Sequence, residues 1–138
     1  MKLVSVEQMQ NLEKEADQNG LSLKIMMENA GIGLAKEIRE IAYSHNLGST
    51  KILGLVGPGN NGGDTLIALR ILAEQGYPIS IYLIKRTENN DSLIELIVKS
   101  GGKIVGAEGD GKYKNLHELI NTCDMLIDGV LGTGFKLR

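Results

Sequence analysis

Three short segments of the chain carry residue types that can do chemistry. In Gly57-Pro58-Gly59-Asn60-Asn61-Gly62-Gly63-Asp64, the glycines at 57, 59 and 62 have G-x-G-x-x-G spacing after an apolar run and before a helical pattern. Glycines let the backbone turn sharply and approach a ligand, and a helix start offers free N–H groups to a phosphate. Asn60, Asn61 and Asp64 add side-chain oxygens of the kind hard cations prefer. The bland alternative is a tight strand-to-helix turn with Asp64 as its cap. Lys85-Arg86 follows a second apolar run. These cations suit phosphate, or Lys85 acts as an acid/base group if its pKa is lowered, or the two form a solvated surface pair. A nicotinamide dinucleotide site of the usual type would favour an acidic residue here. The third segment, Asp128-Gly129-Val130-Leu131-Gly132-Thr133-Gly134, sets a carboxylate at the end of an apolar run. Asp128 either converges with Asn61 on a cation or caps a turn.

These segments need elements to position them. Ser5 with Gln8 reads as a capping box opening a helix that ends by Gly20. Ser22 opens a second, with Leu23, Met26, Met27, Ala30, Leu34, Ile38 and Ile41 at helical spacing. Gly31 and Gly33 interrupt it, which points either to something approaching the helix backbone closely there or to slack packing. The period then changes. Ile52 to Val56, Ile79 to Ile84, Lys103 to Val105 and Met125 to Asp128 read as buried parallel strands. Helices fall between them: after Asp64 to Glu74, from a Ser92/Glu95 capping box, and from Asn115 to Cys123. The alternation predicts an α/β, Rossmann-like three-layer sandwich: a mostly parallel sheet preceded by two N-terminal helices, with strand order 3-2-1-4. In that order Met125 to Asp128 is an unprotected apolar edge, which predicts that the chain dimerises, swaps strands or is markedly unstable, with a homodimer the expected partner state.

Composition sets bounds. The chain has 138 residues, 42% hydrophobic and 23% charged, which suits one domain. A net charge of -2 gives no basic field for nucleic acid or an anionic membrane. No apolar run approaches the roughly 20 residues that span a bilayer. The first residues lack the apolar core of a signal peptide, and the lone Cys123 fits a reducing compartment, so a cytoplasmic protein is expected. Cys123 shares a helix face with Leu116, Leu119 and Ile120 and reads as buried and inert. His45 and His117 form no zinc pattern with it.

The segments together resemble the NAD(P)HX epimerase domain of the YjeF N-terminal type. Leu3 to Met9 and Met27-Glu28-Asn29-Ala30-Gly31 are similar to its first helices, Val56 to Asp64 to its signature loop, and Asp128 to Gly134 to its second motif. The resemblance runs in order from Leu3 to Gly134, and its nine-residue loop is highly specific. It implies epimerisation of the R and S forms of hydrated NADH or NADPH (NADHX, NADPHX), an isomerase step in nicotinamide cofactor repair, with one potassium ion. By motif position it implies that Asn60, Asn61, Gly62, Gly63 and Asp64 contact the substrate and that Asn61 and Asp128 ligate K+. Gly132, Thr133, Gly134, Phe135, Lys136, Leu137 and Arg138 would wrap the substrate's phosphates, and Lys85 would be a basic pocket residue. Asn29 would brace the loop or serve as a buried structural amide.

Epimerisation passes through loss and return of water or through ring opening, and either route needs a positioned acid/base. Lys85 and Asp128 are the candidate catalytic groups, Asp64 is a further carboxylate, and sequence alone assigns the proton to none of them. Two departures stand out: Thr65 occupies a position where the family usually has Gly, and the family domain continues through strands beyond Arg138. Residues 1–138 therefore read as one domain of this type, incomplete at its C-terminal end. Relatives are also fused to a dehydratase, with which cooperation is expected. The rival readings are a non-catalytic nucleotide- or RNA-linked assembly module of the same fold, as in enhancer-of-decapping proteins, and an ordinary NAD(P)-dependent oxidoreductase. The intact loop and Asp128 argue against a lost site, and the missing acidic residue after Ile84 argues against the oxidoreductase.

Overall fold

A computed structural model describes residues 4–5, 23–45, 50–88 and 91–137. Its elements in chain order are β1 (Val4–Ser5), α1 (Leu23–Ser44), β2 (Ile52–Val56), α2 (Asn60–Glu74), β3 (Ile79–Leu83), α3 (Ser92–Lys99), β4 (Lys103–Gly106), a 3-10 turn (Gly111–Tyr113), α4 (Lys114–Thr122), β5 (Met125–Gly129) and β6 (Gly132–Leu137).

The sheet order is β1-β6-β5-β2-β3-β4. Its four parallel strands, β4-β3-β2-β5, stand in the expected 3-2-1-4 order. Val56 pairs with Leu83 on one side and Gly129 on the other, so the C-terminal ends of three strands finish level. The larger core joins Leu34, Ile38, Leu66, Leu69, Ile94 and Ile97 from α1, α2 and α3 to one face of the sheet. The smaller core sets Leu116, Leu119 and Ile120 of α4 against Leu53 and Tyr82 on the other. Helices on both faces of a parallel sheet make a doubly wound α/β sandwich. The Cys123 thiol is buried at the end of α4, as its apolar spacing predicts.

The edge is where sequence and structure part. β5 is not open: β6 returns antiparallel beside it, with Asp128 opposite Gly134 and Met125 opposite Leu137. A tight turn at Val130-Leu131 allows that return, and β1 covers β6 in turn. The case for association from an exposed apolar β5 edge therefore falls. Ser5 is part of β1 and pairs with Gly132, and the helix expected beyond it lies outside the described residues, as does Ser22. The cap of α3 is Asp91 and not Ser92: its carboxylate accepts the N–H groups of Leu93 at 3.0 Å and Ile94 at 3.3 Å. Gly31 meets the expected close approach, since a Cβ there would collide with Ile67 and lie 3.1 Å from Asp64 O, whereas Gly33 faces open space.

Candidate active site at the ends of β2 and β5

The glycine segment is shorter as a loop than its sequence suggests. Only Gly57, Pro58 and Gly59 lie between β2 and α2, and Asn60 to Asp64 form the first turns of the helix. Gly59 is the N-cap residue, with no side-chain cap bond. The loop is tied to the end of β5, where the Gly57 N–H donates to Gly129 O at 3.2 Å. A Cβ on Gly57 would lie 3.3 Å from Val130 Cα, so the two motifs touch through their backbones.

The glycines do different jobs. A Cβ at Gly62 would collide with Gly57 O and lie 2.9 Å from Arg86 Nη1. At Gly63 it would collide with the end of the Met27 side chain. Those two positions are small because the chain packs on itself there. Gly59 faces open space, and Pro58 and Asn60 are exposed beside it, so this is the stretch a ligand can approach. Asn61 is 9% exposed at the mouth, and the side chains of Asp64 and Thr65 are fully buried beneath it.

Asp128 stands level with Leu55 on the neighbouring strand. Its Oδ1 accepts the N–H of Val130 at 2.9 Å and of Leu131 at 3.2 Å, so it does cap the turn after β5. Of the second-motif residues, the register keeps Gly132, Thr133 and Gly134 at this end of the sheet. Phe135, Lys136 and Leu137 run back opposite Ile127, Leu126 and Met125, toward the other end. Arg138 lies outside the described residues.

The two adjacent cations divide. Lys85 has φ of 55 and is exposed, beyond the end of β3. As β3 and β5 flank β2, Lys85 and Asp128 leave strands roughly 10 Å apart. The turn at Lys85 sends Arg86 back onto the loop, where Nη1 donates to Gly57 O at 3.1 Å and Gly59 O at 3.4 Å. Arg86 Nη2 also lies 3.6 Å from Asp91 Oδ2. Arg86 is the residue that sequence reasoning underused: its place beside Lys85 was visible, but not which of the two would fold back. Asn29 is exposed on α1.

Beside the loop, an open groove of about 1070 Å³ extends past the ends of β3 and β4, lined in part by Lys85, Arg86, Glu88 and Tyr113. Tyr82, which lines it, belongs to a buried pair unseen in the sequence: its hydroxyl donates to Asp110 Oδ2 at 2.8 Å. The Asp110 carboxylate also accepts the N–H of Asn115 at 2.9 Å and Leu116 at 3.1 Å, which starts α4. Those bonds, the Asn115 N–H first, outweigh burial and hold Asp110 below the usual carboxylate range. Burial above all, with the Asp110 bond and charge, pushes Tyr82 up to about 12.

Comparison with known proteins places this arrangement. The family described as "YjeF-related protein N-terminus" matches residues 23–138. The chain belongs to that family. The NAD(P)H-hydrate epimerase of Cenarchaeum symbiosum is 35% identical, over 95% of this chain and 59% of its own length. The Bifunctional NAD(P)H-hydrate repair enzyme Nnr of Moorella thermoacetica is 31% identical, over 99% of this chain and 26% of its own. The chain thus spans between a quarter and three-fifths of these relatives. The crystal structure of yeast ynu0, YNL200c superposes with a TM-score of 0.68 at 24% identity, covering 100% of this chain and 60% of that one, and it supports the fold. For this member of the YjeF-related family, the expected Rossmann-like sandwich holds. Among the described residues, no helix is long and apolar enough to cross a membrane.

Proposed function

We propose that the chain carries the epimerase site for hydrated NADH and NADPH, interconverting their R and S forms. The observation that carries the reading is the bond from the Gly57 N–H to Gly129 O. It fixes the glycine loop against the Asp128 turn where the strand order reverses, between β2 and β5, and such sheets bind ligands there. The names of the Cenarchaeum and Moorella relatives support the same chemistry. Substrate contacts fall to Gly59 on the loop, to Asn60 and Asn61 at the start of α2, and to Gly132, Thr133 and Gly134 on the returning strand.

Asp128 is the preferred acid/base. Its Oδ1 is held by two backbone N–H groups, while Oδ2 accepts no bond among the described residues. The Asp64 carboxylate, on the first turns of α2, is fully buried, and Lys85 lies on the far side of β2. Potassium fits the donor chemistry: the Asn61 amide oxygen and the Asp128 carboxylate are hard oxygen donors on touching motifs. When bound, the ion would supply positive charge that offsets the carboxylate and orders the two loops. Nnr-type relatives are named bifunctional, and we propose that the product passes to a dehydratase.

The test is an epimerase assay on enzymatically prepared R-NADHX, in potassium and in a buffer of a large organic cation. Interconversion that needs potassium and is lost in Asp128→Asn supports the reading. Absence of interconversion by the folded wild-type protein in potassium sinks it.

A further inference from the structure

We propose that the groove past β3 and β4 is the subsite for the adenosine half of the dinucleotide, with the base on the Tyr113 ring and the ribose hydroxyls bonded by Glu88 and Glu108. The proposal rests on the epimerase reading for its substrate, and on the groove itself for its place.

The groove is continuous with the loop. Arg86 lines it and at the same time binds the Gly57 and Gly59 carbonyls, so a ligand lying on the loop leads straight into it. Its volume of about 1070 Å³ is slightly above the usual range for ligand pockets, roughly 300–1,000 Å³. It also opens at the C-terminal ends of the strands, the ligand end of such sheets. The smaller cavity of about 260 Å³ lies at the opposite ends, around Lys51, Pro78 and Cys123.

The lining chooses the ligand's chemistry. Ile84, Ile104, Ala107 and Leu116 give an apolar floor. Tyr113, 59% exposed, offers an open aromatic face above it. Flat bases stack on such rings whatever their identity. The head of α4 is no phosphate site, because the Asp110 carboxylate already takes the N–H groups of Asn115 and Leu116. What stands at the rim instead are the carboxylates of Glu88 and Glu108, acceptors for sugar hydroxyls. An acid near this strand end is the usual ribose contact in dinucleotide folds. It is absent directly after Ile84, but Glu88 reaches the same groove four residues on.

The backbone is also shaped around the groove. Among the described residues, the non-glycine positions with positive φ are Lys85 at 55, Lys112 at 56 and Tyr113 at 56. Lys85 and Tyr113 both line the groove, and Lys112 immediately precedes Tyr113 in the chain. Side chains rarely adopt this conformation, and it gathers at ligand sites. At Tyr113 it starts α4 while leaving the ring exposed.

Amide chemical-shift mapping of the chain with adenosine 5′-monophosphate, nicotinamide mononucleotide and inorganic phosphate tests this. The adenosine probe should shift the amides of Lys85, Glu108 and Tyr113, and phosphate alone should not. Tyr113→Ala should weaken the adenosine probe at least fivefold and leave the nicotinamide probe unchanged, with Tyr113→Phe close to wild type. Adenosine shifts confined to Gly57–Asp64 and Asp128–Leu131 overturn the subsite, and so does equal shifting by phosphate. An unchanged affinity in Tyr113→Ala overturns it too. The mapping does not depend on turnover, so a protein that binds the adenosine probe in the groove but never epimerises R-NADHX loses the epimerase reading and keeps the subsite.

Discussion

Thr65 on α2 and Gly129 at the end of β5 share one volume. A Cβ on Gly129 would meet Thr65 Oγ1 at 2.5 Å and Thr65 Cβ at 2.9 Å, with Leu55 O at 2.7 Å. The Thr65 side chain fits where the resemblance leads one to expect glycine because Gly129 opposite carries none. Thr65 Oγ1 is buried and has no hydrogen-bond partner among the described residues, so space and not bonding sets the pair.

The first prediction follows from that shared volume. Gly129→Ala should cost about 1–3 kcal/mol, the usual range for overpacking. Adding Thr65→Gly should recover part of it, a coupling of at least about 0.5 kcal/mol for residues in contact. Recovery is incomplete because Leu55 O stays in place. Denaturant melts of the four members of the cycle read the coupling, and strict additivity would refute the shared volume.

The glycines of the loop give a second prediction with two opposite arms. Gly62→Ala pushes a methyl group into Gly57 O and toward Arg86, and should destabilise by about 3 kcal/mol. Gly59→Ala enters open space at φ of -89, which alanine accepts, so stability should stay within about 0.5 kcal/mol or rise. At that open mouth the added methyl should still weaken substrate binding severalfold. Thermal melts paired with titration separate the arms. If Gly59→Ala binds normally, the ligand does not approach there.

Much of this was legible in the sequence, and the misses have physical causes. The change of period at Ile52 and the β/α alternation after it carried the strand order, because parallel strands need helical crossovers. The glycine spacing marked the loop but not its reason. Sequence does not distinguish a glycine that admits a ligand, as at Gly59, from one that admits the chain's own carbonyl, as at Gly62. β6 had a signal in the alternation of Thr133, Phe135 and Leu137, and reading that stretch as a phosphate wrap concealed it. Tyr82 and Asp110 lie 28 residues apart, and nothing local links them.

A third prediction concerns Arg86. It joins three backbone and side-chain oxygens that no other described side chain ties together: Gly57 O, Gly59 O and the Asp91 carboxylate. Arg86→Ala should cost about 1–2 kcal/mol, as bonds to a charged donor are lost from a part-buried place. Its larger effect should be a KM raised about tenfold by a loosened loop. Arg86→Lys should rescue little, because a single ammonium does not span the fork. Full rescue by lysine would make the role one of charge alone.

The last prediction uses the buried Tyr82–Asp110 pair and the direction of its pKa shifts. The Tyr82 phenol rises from 10.0 to about 12. A group that holds its proton more tightly when folded contributes stability that is whole below its unfolded value and lost as pH climbs toward its folded one. That window runs from about 10 to about 12. Asp110 shifts the other way, down from 3.8, so its contribution is whole above that value and lost as pH falls through the lower folded one. Tyr82→Phe keeps the ring in the core but removes the donor to Asp110, and should cost about 1.5–3 kcal/mol at neutral pH. Its melting temperature should then fall less steeply than that of the wild type as pH rises from 10 to 12, because one alkaline titration is gone. The other tyrosines titrate in both proteins, so the difference between the two curves is the quantity to read. Parallel curves would mean that Tyr82 loses its proton as easily in the fold as outside it, and that its bond to Asp110 does not hold the lining of the groove.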